Sequence, residues 1–300
     1  MEDIKYLMLS PTSRCNLACE KCNRKGSGTD FPWDDYKAII FSSFPNLNFA
    51  KLQGMGEPFM AKDLGRMAKE LKDHYPGIKT LTITNGTLNY NAPAFDDVYK
   101  NLDMLYVSID SVNNISETIG AHAVLATLFE KSKEFGFQLY VNTILFPWNL
   151  KCIADVKRLV QEYPGVKMRV QHQQCWNDVS NIESVDIEVF NKFVAPLFDD
   201  VMEYIGRDDF YYTECDWNTK RIQIDELGNI RLCCLKTDNS IIGQITDLGL
   251  YKAVAERIKA RISVDAWPMV IRPHFGLCET CTFVQLNPIN KQILKILEER

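Results

Sequence analysis

Short apolar or alternating runs are separated along the first two-thirds of the chain by longer segments with a helical period. Residues 6–10, 49–53, 79–84, 104–110, 138–146 and 166–172 read as strands. Between them, residues 31–44 carry Trp33, Tyr36, Ile39, Ile40 and Phe44 near a 3.6-residue period and read as a helix. Residues 64–75, 96–101, 116–135, 152–163 and 188–204 read the same way. Repeated strand–helix units imply parallel strands joined by right-handed crossovers. The predicted class is α/β, and closing the repeats gives a barrel or partial barrel whose chemistry sits at the C-terminal ends of its strands. After residue 206 the alternation stops. Residues 221–225 and 229–233 then alternate with period two around Glu226-Leu227-Gly228, which reads as a β-hairpin, followed by a helix at 250–262. This predicts a first domain over 1–206 and a small α+β domain over 207–300.

Composition narrows the partners. The 300 residues are 46% apolar and 24% charged, ordinary for a globular chain, and the net charge of −5 leaves no basic footprint for nucleic acid. Met1-Glu2-Asp3-Ile4-Lys5 opens without the apolar core of a signal peptide, and no apolar run approaches the roughly 18 residues of a membrane span. The expectation is a cytoplasmic protein with no membrane partner. Ten cysteines in a reducing compartment read as metal ligands before disulfides.

Three of those cysteines, Cys15, Cys19 and Cys22, stand at a C-x3-C-x2-C spacing just after the first predicted strand. Three thiolates in one loop can hold one soft metal centre, and they are one short of the four that fill an iron–sulfur or zinc site. The remaining corner is open to a small molecule; a structural zinc loop is the alternative. The spacing resembles the signature of the radical S-adenosylmethionine (radical SAM) enzymes. That resemblance implies a partial (β/α)6 TIM-like barrel and a 4Fe–4S cluster on Cys15, Cys19 and Cys22. It also implies S-adenosylmethionine on the fourth iron, cleaved to a 5′-deoxyadenosyl radical that takes a hydrogen atom from substrate. Gly54-Met55-Gly56-Glu57-Pro58, after the second strand, resembles the family's G-G-E-P segment with Met55 in place of a glycine, which implies that Gly54, Gly56 and Glu57 bind the methionine part of the cofactor. Ser108 and Asp110 resemble the S-x-D end of the fourth strand, and Asn142 is similarly placed on the fifth; the resemblance implies cofactor contacts for all three. Thr84-Asn85-Gly86 matches a recurrent T-N-G segment and is equally a plain turn. Where family members often carry an aromatic before the third cysteine this chain has Lys21, leaving Phe146 or Trp148 to pack the adenine.

A second set of cysteines brackets the hairpin. Cys215 precedes it, Cys233 and Cys234 end it, and Cys278 and Cys281 follow as C-x2-C. Four spaced thiolates complete a zinc or a 4Fe–4S site. The pattern resembles the auxiliary-cluster region of the SPASM/Twitch subfamilies. With no cysteine after Cys281 it is similar to the shorter Twitch form, which implies one auxiliary 4Fe–4S cluster on Cys215, Cys233, Cys278 and Cys281. The Gly-x4-Cys register selects Cys233 over Cys234.

An auxiliary cluster that accepts an electron makes net oxidation possible, whereas an epimerase needs a hydrogen donor, usually a thiol. Cys152 lies in an apolar helical pattern and reads as core; Cys175 follows the sixth strand on the predicted rim and is the candidate donor. The run Gln171, His172, Gln173, Gln174 suits a hydroxylated substrate, and His172 reads equally well as a structural histidine. The expected substrate is a small hydroxylated or amino-sugar-like molecule, oxidised or epimerised, with an external flavodoxin or ferredoxin as electron donor. A maturase acting on a ribosomal peptide is the alternative; entry into the first strand at about residue 6 leaves no leader-binding module ahead of it. A molybdopterin-type cyclase ends in Gly-Gly, unlike Leu297-Glu298-Glu299-Arg300. A non-catalytic iron–sulfur carrier or zinc scaffold would not need the Gly54–Pro58 segment.

Overall fold

A computed structural model of the chain describes residues 1–19, 22, 24, 28–112, 120–172, 185–204, 220–231, 241–249, 251–253, 256, 292–293, 295–297 and 299. The chain forms two compact units, one built from Met1–Thr82 with Glu214–Cys281 and the other from Ile83–Thr213 with Thr282–Arg300. The architecture is mixed α/β, with mostly parallel strands in both.

In the first unit β1 (Tyr6–Leu9), α1 (Trp33–Ser43), β2 (Phe49–Leu52), α2 (Leu64–His74) and β3 (Lys79–Thr84) follow in order. β1 pairs parallel with β2, and β2 with β3. Leu7, Leu9, Ala50 and Leu52 are buried on one face. Leu64, Met67, Ala68 and Leu71 give α2 an i, i+3, i+4, i+7 stripe, and that stripe is buried. The Glu70 carboxylate joins the two helices by accepting from Trp33 Nε1 (3.0 Å) and Lys37 Nζ (2.9 Å).

The C-terminal hairpin completes this unit. β8 (Arg221–Ile224) and β9 (Asn229–Arg231) pair antiparallel as predicted. Two features were outside the sequence reading. β8 also pairs parallel with β1, Tyr6 opposite Arg221 and Leu9 opposite Ile224, and β10 (Ile241–Gln244) extends the hairpin on its other side. The strand order is β10-β9-β8-β1-β2-β3.

Asp225 locks the hairpin turn. Its buried carboxylate accepts from Leu227 N (3.0 Å), Asn229 N (2.9 Å), Asn229 Nδ2 (3.0 Å) and Arg231 Nε (2.9 Å). Gly228 turns with φ +78°, and a Cβ there would lie 2.5 Å from the Tyr36 ring, so only glycine lets the turn approach α1.

The second unit holds α3 (Asp96–Asn101), β4 (Met104–Ser108), α4 (Ala121–Phe135), β5 (Gln138–Leu145), α5 (Ile153–Gln161), β6 (Lys167–His172), α6 (Ile187–Phe193) and β7 (Met202–Tyr204). β4, β5, β6 and β7 pair in that order, all parallel. The helix expected over 188–204 is corrected here. α6 starts at Asp186, whose side chain caps Glu188 N (2.9 Å), and it stops at Phe193. Pro196 then sits in a short 3-10 turn, lacking the N–H that an α-helix interior needs. Residues 202–204 alternate instead: Met202 and Tyr204 are buried while Glu203 pairs with Arg169 across to β6. Cys152 is also not in the helix interior; it is the half-buried N-cap of α5.

Among the described residues β10 and β7 each have a strand neighbour on one side only, and the strands do not close into a barrel. Among the described residues no helix is long and apolar enough to cross a membrane.

Candidate active site

β1 ends at Leu9 and feeds the cysteine segment. The base of that loop is clasped shut before the first cysteine. Ser13 N donates to Thr29 O (2.8 Å), Thr29 N to Ser13 Oγ (2.9 Å), and Thr12 Oγ1 to Asp30 Oδ1 (2.7 Å). The Arg14 guanidinium grips the same carboxylate with two nitrogens, at 2.9 and 2.6 Å, and also donates to Met60 O. Such a two-pronged arginine–carboxylate pair fixes direction as well as distance. Beyond the clasp Cys15 is half-buried, while Cys19 and Cys22 are exposed. Leu17 N–H points at Cys15 Sγ (3.4 Å), and Cys22 N donates to Cys19 O (3.0 Å), winding the last two cysteines into a turn. Among the described residues no three His, Cys, Asp or Glu side chains gather as for a single metal ion. The three cysteines share a loop without meeting at one point.

The loop after β2 wedges beneath this clasp. A Cβ on Gly54 would lie 1.9 Å from Ser10 Oγ, and one on Gly56 would lie 2.4 Å from Thr12 O and 2.5 Å from Arg14 O. Glu57 N donates to Arg14 O (2.7 Å), and its carboxylate, 2% exposed as a residue, accepts from Phe59 N (3.2 Å). The fold itself uses both glycines: without side chains, Gly54 lies against Ser10 at the end of β1 and Gly56 against the backbone of Thr12, Ser13 and Arg14 that leads to Cys15. The hairpin adds a third support, with Ser10 N donating to Ile224 O (2.9 Å) and Ser10 Oγ to Glu226 Oε2 (3.1 Å).

In the second unit Ser108 and Asn142 face each other across β4 and β5, and Asp110 follows at the strand end. Asp110 Oδ1 accepts from Ile144 N (2.7 Å), and Asn149 Nδ2 braces both Asp110 O (3.0 Å) and Ile144 O (2.8 Å). Burial pushes the Asp110 carboxyl up to about 6, opposed only in part by the Ile144 N–H. A carboxyl raised in the folded state holds its proton there more tightly than in the unfolded chain. Stability is therefore highest below the unfolded value near 3.8 and is lost as pH rises to about 6. The loss attributable to this group is about 3 kcal/mol. Asp110→Asn keeps the Ile144 contact and is expected to abolish that decline; urea midpoints at pH 4.5 and 7.5 measure it.

Nearby, Phe146 and Trp148 stack on each other at 5.5 Å with planes 14° apart, and Trp148 is 50% exposed. Asn85 and Gly86 form a tight turn: Asn85 Oδ1 accepts from Thr87 N (3.0 Å) and Gly86 has φ +75°.

The structure thus places Cys15, Cys19 and Cys22 on one loop with Gly54, Gly56 and Glu57 packed at its base in the first unit, and Ser108, Asp110 and Asn142 at neighbouring strand ends in the second. Cys175, Cys215, Cys233, Cys278 and Cys281 lie outside the described residues, as do Lys21 and Cys234. Sequence reasoning missed Arg14, Asp30 and Asp225. Only Asp225 carried a local signal, an aspartate opening the turn Asp225-Glu226-Leu227-Gly228.

No model of a known protein family matches the chain. Among curated proteins, a GTP 3′,8-cyclase of Campylobacter curvus is 30% identical over 158 residues, 47% of this chain and 47% of that protein. The tungsten-containing aldehyde ferredoxin oxidoreductase cofactor-modifying protein of Pyrococcus furiosus is 30% identical over 128 residues, 41% of this chain and 35% of that protein. The chain therefore matches about half or less of the length of these relatives. Among solved structures, Streptococcus suis SuiB bound to its precursor peptide SuiA superposes with a TM-score of 0.67 over 94% of this chain and 70% of that one, at 14% identity, a likeness of fold. In its cysteine spacing, and in part of its sequence and its fold, the chain resembles the radical SAM superfamily. S-adenosylmethionine and a 4Fe–4S cluster are the superfamily's cofactors, and the residues in place suit both. Three thiols of one loop stand beyond the clasp, and the Gly54–Glu57 loop packs against the segment that leads to Cys15.

Proposed function

We propose that this chain is a radical SAM enzyme acting on a small hydroxylated or amino-sugar-like substrate, by oxidation or by epimerisation. The clasped cysteine loop with the Gly54–Glu57 loop packed beneath it carries the reading. When bound, S-adenosylmethionine reduced by one electron from the cluster supplies a 5′-deoxyadenosyl radical that removes a hydrogen atom from substrate. In this reading Cys15, Cys19 and Cys22 hold the cluster, and the Gly54–Glu57 loop receives the methionine ammonium. Ser108, Asp110 and Asn142 hydrogen-bond the ribose or carboxylate, and the Phe146–Trp148 stack offers a flat surface for adenine. In this reading Cys215, Cys233, Cys278 and Cys281 would hold a Twitch-like auxiliary 4Fe–4S cluster, and a cytoplasmic flavodoxin or ferredoxin would deliver the electron. Oxidation stands ahead of epimerisation because the auxiliary cysteines suit an electron acceptor. For epimerisation the Cys175 thiol is the candidate donor. The names of the two curated relatives, a nucleotide cyclase and a cofactor-modifying protein, favour a small substrate. A second reading, peptide modification, is favoured by the SuiB complex with its precursor peptide.

Substrate-to-cofactor deuterium transfer separates these readings. C-deuterated hexosamines and aminocyclitols are expected to place deuterium in 5′-deoxyadenosine and to yield a product two mass units below the unlabelled substrate. Transfer from peptides alone would replace this reading with the second. Cys175→Ala is expected to leave oxidation intact; a variant that loses product would mark an epimerase.

A further inference from the structure

One face of the first unit's sheet carries two buried polar atoms that the fold does not use. In the parallel register Gln223 of β8 lies beside Met8 of β1, and Met8 beside Lys51 of β2. Residues in register on parallel neighbours point to the same side. Met8, Lys51 and Gln223 therefore form a row opposite the apolar face of Leu7, Leu9, Ala50, Leu52, Ile222 and Ile224. Ser10 and Gln53 continue the polar side by one step, to the strand ends where the cysteine loop and Gly54 begin.

Gln223 is only 7% exposed, yet its Oε1 has no hydrogen-bond partner among the described residues. Gln53 Oε1 is likewise buried and unmet. An unmet buried carbonyl weakens a fold, and an aliphatic side chain of similar size would serve packing better. Two such carbonyls on one side of one sheet, at the end that carries the cofactor loops, form a pattern that packing does not account for.

We infer that Gln223 and Gln53 line the floor of a substrate subsite that accepts hydrogen bonds from hydroxyl or ammonium groups of a small polar molecule. The inference rests on the proposed radical chemistry and deepens it by naming residues that select the substrate. Amide carbonyls accept and do not ionise, so the subsite takes donors at any physiological pH. A site built around unmet acceptors also rejects analogues that lack the donor, because the carbonyls then stay unpaired.

The test uses cluster-reconstituted wild type, Gln223→Leu and Gln53→Leu with S-adenosylmethionine present, and three probes: glucosamine, myo-inositol and 2-deoxystreptamine. Thermal midpoints are read without probe and across a probe titration. Gln223→Leu is expected to raise the probe-free midpoint by roughly 2 °C or more. For the probe that shifts wild type, both variants are expected to lose about tenfold or more in apparent affinity. A midpoint lowered by Gln223→Leu would show that the carbonyl is met within the fold, and it overturns the inference. Probe binding unchanged in both variants overturns it too, as does the absence of any shift in wild type. Formation of 5′-deoxyadenosine by wild type is read in parallel. Its absence sinks the radical reading, whereas its presence with unaltered probe binding sinks the subsite alone.

Discussion

Gly56→Ala is expected to lower 5′-deoxyadenosine formation about a hundredfold and to reduce iron bound at the N-terminal loop. The added methyl would stand 2.4 Å from Thr12 O, 2.5 Å from Arg14 O and 2.9 Å from Ser13 C. All three atoms are backbone, so no rotation of a side chain relieves the contact. The loop after β2 must move off the segment that presents Cys15, breaking the Glu57 N to Arg14 O bond as it goes. A shift of about 1 Å in a catalytic segment is enough for a loss of that size. The cost in stability is smaller, about 1–3 kcal/mol, as for other overpacked sites. Iron content, the visible spectrum of the reconstituted protein and urea midpoints separate the two effects. Near-normal iron and turnover would mean that the two loops are not mechanically coupled.

Asp225→Ala is expected to destabilise the first unit by about 3–5 kcal/mol, the range for removing one partner of a buried ion pair. The Asp225 side chain is 5% exposed and Arg231 Nη2 sits 2.7 Å from its Oδ2. The same carboxylate ties the turn through Leu227 and Asn229, so the variant loses the ion pair and the turn together. Because β8 is paired along β1, the damage reaches the strand that leads to the cysteines. Urea unfolding measures the loss. Asp225→Asn, which preserves the turn acceptor, is expected to lose less. Equal losses in the two variants would place the whole effect in the ion pair.

The parts of the fold that were legible in the sequence are those specified by local pattern. Lys79–Thr84 and Asp96–Asn101 have the bounds that periodicity and flanking turn residues suggest. A helix over 188–204 is interrupted at Pro196 and Asp199, while the apolar Phe198, Val201, Met202 and Tyr204 suit a helix or a strand equally. The pairing of β8 with β1 was not legible at all: parallel strands so far apart in sequence share no turn, and only tertiary packing selects the partner. β10 is too short and too exposed to announce itself, with Ile242 as its buried residue.

The candidate site divides the same way. Cysteine spacing is a local property and was readable. Gly54 and Gly56 read in the sequence as a close approach to a ligand; the geometry adds a close approach to the segment that leads into the cysteine loop. Arg14 and Asp30 are separated by the whole loop they close, and nothing in either residue's neighbourhood reports the other. The unmet carbonyls of Gln53 and Gln223 depend on what surrounds them in space, which a sequence pattern does not encode.

The most direct test of the account is cleavage of S-adenosylmethionine by anaerobically reconstituted protein with dithionite, beside a Cys15→Ala, Cys19→Ala, Cys22→Ala triple variant. The account predicts 5′-deoxyadenosine from wild type and none above background from the variant. Equal product from both would contradict it, as would no product from wild type that holds its N-terminal cluster and is supplied with the small-substrate panel.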